Sequence, residues 1–444
     1  MTDVSETVVV ERRGWRRFTI DPRPLRHVAY RRLFIGNAAS NFGFQFTAVA
    51  VPVQMYALTG SSLWVGLIGI AGLGPLLVFG IWGGAVSDAV DRRKLLLAAS
   101  ILQFATTLAL LAQALLGVRS PVLLLGLVGG QSMAFALSSP TRRAILPRLL
   151  GPAQLPAANT LDTTMFNAAM VIGPLSAGVL VATTSVAAAY AVDALAFGAV
   201  LWATLRLPPL PPSNGKSRAG LRDIKDGLAY IAASPVLLLS FVIDIAAMVL
   251  AMPRALFPQV AAERFGGEAA VGWLFSAIAI GSLLAGLTSG WIGRVRRQGL
   301  ALVIAVIGWG LAVGAAGLAH SLWLAVALLA LGGAADLVSA VYRQTILQTY
   351  APDQMQGRLQ GVFIAVVAGG PRLGDLRAGA MAATWGVTVS WVGGGVAAAV
   401  VALLVALAFP ALLRWQRRDR PDAPASADSA AASAGSVPAP REGD

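Results

Sequence analysis

Residues 64–86 read WVGLIGIAGLGPLLVFGIWGGAV, an apolar segment without a charged side chain. A helix needs about 20 such residues to cross the hydrocarbon core of a bilayer, so this segment predicts a membrane span. Similar segments recur along the chain and predict twelve spans, at residues 33–58, 64–86, 95–116, 121–141, 159–183, 187–206, 236–257, 270–292, 300–319, 322–342, 359–383 and 391–413. We therefore expect an all-α integral membrane protein.

The composition of the whole chain agrees with a membrane protein. Of the 444 residues, 57% are hydrophobic and 12% are charged, against about 45–50% and 25% in soluble domains. The chain has no cysteine, and its two histidines have no partners at metal-ligand spacing. It also has no G-x-x-x-x-G-K-[ST] motif for ATP. We expect no metal and no cofactor.

The distribution of basic residues predicts the orientation. If the twelve spans alternate, 29 of the 34 lysines and arginines lie on the side of the amino terminus. Basic residues concentrate in cytoplasmic loops, so both termini are expected in the cytoplasm and the protein in the plasma membrane. The net charge of +13 then indicates contact with anionic lipid and not with nucleic acid.

The chain divides into two similar halves. We predict a basic tail at 1–32, a six-span half at 33–207, a proline-rich linker with a short surface helix at 208–235, a second six-span half at 236–413, and a disordered tail at 414–444. Matching pairs support the repeat: Val65-Gly66 with Val271-Gly272, Gly80 and Gly84 with Gly286 and Gly290, and Gly173-Pro174 with Gly370-Pro371. Two halves of the same sense predict a parallel repeat around a central path. Small residues four apart predict close helix packing.

Four motifs resemble the major facilitator superfamily, in particular its siderophore-exporter and drug:proton antiporter branch. They are GAVSDAVDRRK at 84–94, PTRRAILP at 140–147, MPRALFP at 252–258 and GPRLGD at 370–375. The resemblance implies a monomeric secondary transporter that exports an amphipathic small molecule in exchange for protons. A facilitator or importer of the same fold is the alternative, and a membrane enzyme is a weaker one.

The resemblance also implies a gate on the cytoplasmic side. Its residues belong to the loop after span two and to the start of span eleven: Gly84, Asp88, Asp91, Arg92, Arg93 and Arg358. The amino end of a helix favours an anion, so Asp88 is expected to dock against span eleven near Arg358.

Three aspartates inside predicted spans are candidate proton carriers, because a charge inside a membrane is costly and is functional by default. Asp244 lies near the middle of span seven, which lines the cavity in the resembling family; the alternative is a structural hydrogen bond. Asp336 in span ten is either a second proton site or the partner of Arg343. Asp375 shares a helix face with Arg372, three residues away, and an ion pair between them is favoured.

Polar residues in two spans are candidates for the substrate path. Asn37, Asn41 and Gln45 recur every four residues and form one stripe along span one. They either bind substrate or join helices by hydrogen bonds. Arg372 is a further substrate-path candidate.

Overall fold

The computed structural model describes residues 21–151, 154–208, 221–350, 355–413 and 415. Within these ranges it describes the side chains except at 81–89, 143–144, 221–226, 356–358, 364 and 411. The described part of the chain contains helices and no strands. This confirms the predicted all-α class.

The twelve long helices are α1 (Val28–Thr59), α2 (Ser62–Ala89), α3 (Arg92–Leu115), α4 (Pro121–Leu149), α5 (Leu155–Thr183), α6 (Val186–Leu205), α8 (Pro235–Ala251), α10 (Glu268–Leu287), α11 (Gln298–Ala316), α12 (Leu322–Tyr350), α13 (Gln356–Trp385) and α14 (Val387–Ala408). The shorter helices are α7 (Leu221–Ala233), α9 (Phe257–Arg264) and α15 (Pro410–Leu413). Short 3-10 turns occur at Arg23–Arg26, Arg254–Leu256 and Ser289–Arg294.

Ten segments of the described chain are long and apolar enough to cross a membrane, and one of them runs from α8 through α9. The two long helices outside this set are α1 and α13. These helices carry the polar stripe Asn37, Asn41 and Gln45 and the charged residues Arg372 and Asp375, which lower their hydropathy. The polar residues predicted for the substrate path thus lie on the two long helices that are the least suited by hydropathy to cross a membrane.

The seventh predicted span, 236–257, is interrupted in the structure. Helix α8 ends at Ala251, Met252 is extended, and a 3-10 turn follows at Arg254–Leu256. Pro253 causes the break, because proline disfavours the helical conformation of the residue before it. Arg377 of α13 donates hydrogen bonds to the exposed carbonyls of Val249, at 3.2 Å, and of Leu250. These bonds satisfy a helix end that would otherwise lie unpaired inside the bundle.

The contacts between the halves have approximate twofold symmetry. Helix α2 packs along α13, and α10 packs along α5. A Cβ built on Gly66 of α2 would lie 2.5 Å from the Asp375 carbonyl oxygen, and one built on Gly272 of α10 would lie 2.5 Å from that of Pro174. Glycine at both positions therefore lets two helix backbones touch. The repeated Val-Gly pair thus has the same role in each half.

The prediction of close packing at Gly80 and Gly290 is wrong for this conformation. A Cβ at either position would meet no atom of the described side chains and backbone within 4 Å, and one at Gly286 would meet Leu337 at 3.6 Å, an ordinary contact. Gly290 also lies beyond the end of α10, in a 3-10 turn, so it does not share a helix with Gly286.

Candidate functional site

The two halves meet at one end of the bundle. We call the side on which α1 begins and α14 ends the terminal side, and the other the opposite side. On the opposite side, Ser62 Oγ donates to Gln259 Oε1 at 2.6 Å, and Tyr56 Oη donates to Glu263 Oε1 at 3.4 Å. Each of these bonds joins one half to the other. Together with the glycine contacts of α2 and α10, they close the opposite side.

Toward the terminal side the halves separate. Residues Thr163–Asn167, near the start of α5, are all exposed. Successive residues of a helix point about 100° apart, so five exposed residues in a row leave α5 without close neighbours around most of its circumference. Further along the same helix, Ser276 of α10 donates to the Val171 carbonyl at 2.9 Å. In the described part of the chain, the space between the halves therefore widens toward the terminal side.

A cavity of about 490 Å³ lies between the halves. Its walls come from α1 to α6, α10, α13 and the turn after α8, and they are mostly apolar. The amide and charged side chains in the described wall are Asn41, Gln45, Gln103, Gln131, Arg142, Arg254, Arg372 and Asp375. Such a wall, apolar with a few polar groups, is typical of a small-molecule site.

Asp375 is the single carboxylate among the described lining residues. Its Oδ1 accepts a hydrogen bond from the backbone N–H of Ala255 at 3.2 Å. The guanidinium groups of Arg254, Arg372 and Arg377 are near enough to act on its charge. The carboxylate thus joins α13 to the turn that interrupts span seven.

The expected direct ion pair between Arg372 and Asp375 is wrong for this structure, since the ion pairs among the described residues do not include one. Arg372 instead reaches toward α2, where a Cβ built on Gly72 would lie 3.8 Å from its Nε. The Asp375 carboxylate is turned toward the Ala255 N–H. The two side chains share a helix face but reach toward different elements, Arg372 toward α2 and Asp375 toward the turn after α8.

Asp244 does not line the cavity, contrary to the sequence prediction. Its carboxylate is buried and paired with the Arg343 guanidinium of α12. Asp336, also on α12, lies 3.7 Å from the same guanidinium and is more exposed than Asp244. Both aspartates therefore belong to one charged cluster within the second half. For Asp336, the structure shows the alternative that the sequence allowed, an ion pair with Arg343.

The polar stripe of α1 is divided between the cavity and the helix contacts. Asn41 and Gln45 line the cavity, and Gln45 Nε2 also donates to Met170 Sδ at 2.7 Å. Asn37 does not line it, and its Oδ1 is buried without a hydrogen-bond partner in the described structure. Gly173 packs against Gln45: a Cβ built on Gly173 would lie 2.6 Å from the Gln45 Cβ. Pro174 follows it inside α5 and lines the cavity.

The loop after α2 has local contacts of its own. Asp91 caps the amino end of α3, where its side chain accepts a hydrogen bond from the Arg93 N–H at 2.8 Å. The Arg93 guanidinium donates to the Leu205 carbonyl at 2.7 Å. Arg92 is buried. The side chains of Asp88 and Arg358 lie outside the described residues, as does the environment of Gly84. The predicted gate therefore remains a prediction.

Sequence reasoning missed two arginines of the cavity wall: Arg142 falls just beyond predicted span four, and Arg254 falls near the end of predicted span seven. Helix α4 continues to Leu149, two turns past its predicted end, and carries Arg142 inside the bundle. Arg254 follows the break at Pro253 and lies in the wall, not on the surface. The apolar residues after Arg142 and the proline before Arg254 are the signals that point to these positions.

Comparisons with known proteins agree with this geometry. A family model described as "Transmembrane secretion effector", of the major facilitator superfamily, matches residues 21–431. The chain belongs to this family. It is also 30% identical over 397 residues to the enterobactin exporter EntS of Shigella boydii, covering 88% of this chain and 94% of that protein. The same identity and coverage hold for EntS of Escherichia coli O139:H28. The chain is therefore a multi-pass membrane transporter and not an enzyme.

Solved structures share the fold. The nucleoside transporter NupG superposes with a TM-score of 0.69 at 16% identity, covering 87% of this chain and 100% of that one. A bacterial homologue of the iron transporter ferroportin, in an inward-facing state, gives 0.66 at 16% identity, covering 87% and 99%. At this identity the likeness establishes the fold alone, which is that of these membrane transporters.

Proposed function

We propose that this protein exports an amphipathic small molecule of the siderophore or drug-like type across the bacterial plasma membrane, in exchange for protons. The observation that carries the proposal is the cavity itself, which lies between the two halves, widens toward the terminal side among the described residues, and combines apolar walls with a few charged groups. The enterobactin exporters to which the chain is similar support export and a siderophore substrate.

In this proposal the terminal side faces the cytoplasm. The loops and tails on that side hold most of the lysines and arginines, which is the distribution expected for cytoplasmic segments. The structure is then the inward-open state, in which substrate enters from the cytoplasm. Closure of the terminal side and opening of the opposite side complete the transport cycle, and one chain contains every element required.

Asp375 is the favoured proton carrier in this proposal. A coupling carboxylate must reach water in at least one state, and Asp375 lines the cavity whereas Asp244 is buried against Arg343. Asp375 also contacts the turn after α8, so a change in its charge acts on the joint between α13 and the broken span. The cluster of Asp244, Arg343 and Asp336 is the second candidate.

Enterobactin uptake into everted membrane vesicles tests the proposal. In such vesicles the cytoplasmic face is outside, so export appears as uptake. With the interior made acidic, vesicles that contain the protein are expected to concentrate enterobactin, and a protonophore is expected to abolish the accumulation. Equilibration without accumulation would instead support an uncoupled facilitator. No uptake above that of vesicles without the protein would contradict export of this siderophore.

A further inference from the structure

Three arginines from three separate elements line the cavity. Arg142 comes from α4 in the first half, Arg254 from the turn after α8, and Arg372 from α13. Asp375 is the opposing charge among the described lining residues. The described wall therefore carries an excess of positive charge.

Charges behind the wall do not reverse this excess. The ion pairs of the second half add Arg343, which contacts both Asp244 and Asp336. Arg377 is held by backbone carbonyls of α8 and α14. Counted together, the lining charges and these charges behind the wall are Arg142, Arg254, Arg343, Arg372 and Arg377 against Asp244, Asp336 and Asp375. Asp193 of α6 is buried against α1, where Thr47 Oγ1 donates to its carboxylate at 2.5 Å. It does not line the cavity.

The three lining arginines also have unused hydrogen-bonding capacity. Arg142 Nε, Arg254 Nε and Arg372 Nη1 are each buried without a hydrogen-bond partner in the described part of the chain. Buried donors of a charged group are costly when left unpaired. An anionic oxygen in the cavity would accept from them with strong, charge-assisted bonds.

The rest of the wall fits an aromatic or aliphatic body. Five phenylalanines line it: Phe44, Phe135, Phe166, Phe197 and Phe275. From this combination we infer that the transported molecule is an amphipathic anion, with an acidic group at Arg254 and Arg372, which both lie near Asp375, and an apolar body against the phenylalanines. The inference rests on the proposed function, which leaves the charge of the substrate open.

Three pyrene probes of one shape and different charge test the inference: 4-(1-pyrenyl)butanoate, its neutral amide, and the 4-(1-pyrenyl)butylammonium cation. Binding to the purified protein is measured by the shift in its melting temperature, and transport by uptake into everted vesicles. The anion is expected to bind at least about tenfold more tightly than the cation, since a single hydrogen bond to a charged group is commonly worth that factor.

Substitutions of the lining arginines test whether the anion binds at these residues. Arg372→Gln and Arg254→Gln are each expected to weaken anion binding about tenfold and to leave binding of the neutral amide unchanged. Arg372→Lys keeps the positive charge and is expected to restore much of the preference for the anion. Arg296→Gln, at an exposed position in the turn before α11, is the matched control and is expected to bind all three probes as the unsubstituted protein does.

The two measurements separate the inference from the proposed function. Anion binding without uptake would uphold the charge preference and contradict export of this probe. Equal or tighter binding of the cation would overturn the inference even if uptake occurs. An anion preference that survives both glutamine variants would also overturn it, because the site would then lie elsewhere.

Discussion

The backbone N–H of Ala255 donates to Asp375 Oδ1 at 3.2 Å, which joins the break in the seventh span to α13. The bond lies between two elements that both line the cavity and that both belong to the second half. On its other face, α13 packs against α2 of the first half through Gly66. A change in the charge of Asp375 therefore acts at a point where cavity, broken helix and inter-half contact meet.

Asp375→Asn is expected to abolish pH-driven accumulation of enterobactin in everted vesicles. The amide can still accept the Ala255 hydrogen bond, so folding and insertion are expected to persist, but it cannot carry a proton. Exchange of labelled for unlabelled substrate without a pH gradient is expected to continue. Full accumulation by the variant would exclude Asp375 as the coupling carboxylate and would move that role to Asp244 or Asp336.

Asp244→Asn is expected to act mainly on stability. It leaves the buried Arg343 guanidinium with the more exposed Asp336, at 3.7 Å, as its remaining partner, and breaking a buried ion pair by removing one side commonly costs about 3–5 kcal/mol. The double variant Asp244→Asn with Arg343→Gln is expected to recover most of the loss, as measured by thermal unfolding in detergent. A stable single variant that has lost only pH-driven transport would instead identify Asp244 as a proton carrier.

Gly66→Leu is expected to block transport, because even a Cβ at this position would lie 2.5 Å from the backbone of α13. Closure of the opposite side then becomes impossible, and overpacking of this kind commonly costs about 1–3 kcal/mol. Gly290→Leu is the matched control, since a Cβ there would meet no atom of the described residues within 4 Å. The measurement is enterobactin uptake into everted vesicles by each variant, which is expected to be lost in Gly66→Leu and kept in Gly290→Leu. Equal activity of the two variants would show that the close contact of α2 and α13 is not required.

Asp88→Asn is expected to favour the inward-open state, if Asp88 docks against the amino end of α13 when the terminal side closes. The interaction of a carboxylate with a helix amino end and one arginine would stabilise the closed state by about 1–2 kcal/mol, which shifts a two-state equilibrium about five- to thirtyfold. The measurement is the labelling rate of Thr163→Cys, at an exposed position on the open side, in a chain that has no other cysteine. Unchanged labelling together with intact transport would exclude the latch.

The fold was largely predictable and the cavity wall only in part, for one physical reason. Apolar length marks a span regardless of its neighbours, so twelve helices follow from the sequence. A charged residue near a predicted helix end has two possible positions, in a loop or in the interior, and hydropathy favours the loop. Arg142 was placed in a loop for this reason, and Arg254 was missed because span seven is broken at Pro253. The position of Asp244 depends on which face of α8 meets Arg343, which is a tertiary contact that no local pattern specifies.

The central claim is that the two sides of the cavity open alternately, and distances between paired spin labels test it most directly. One pair, Ala57→Cys with Ala262→Cys, reports the opposite side, and a second, Lys94→Cys with Gln348→Cys, reports the terminal side; all four positions are exposed. Introducing Gly66→Leu into each labelled chain is expected to lengthen the first distance and shorten the second. Lengthening of the first without shortening of the second, or no change in either, would contradict alternating access in this protein.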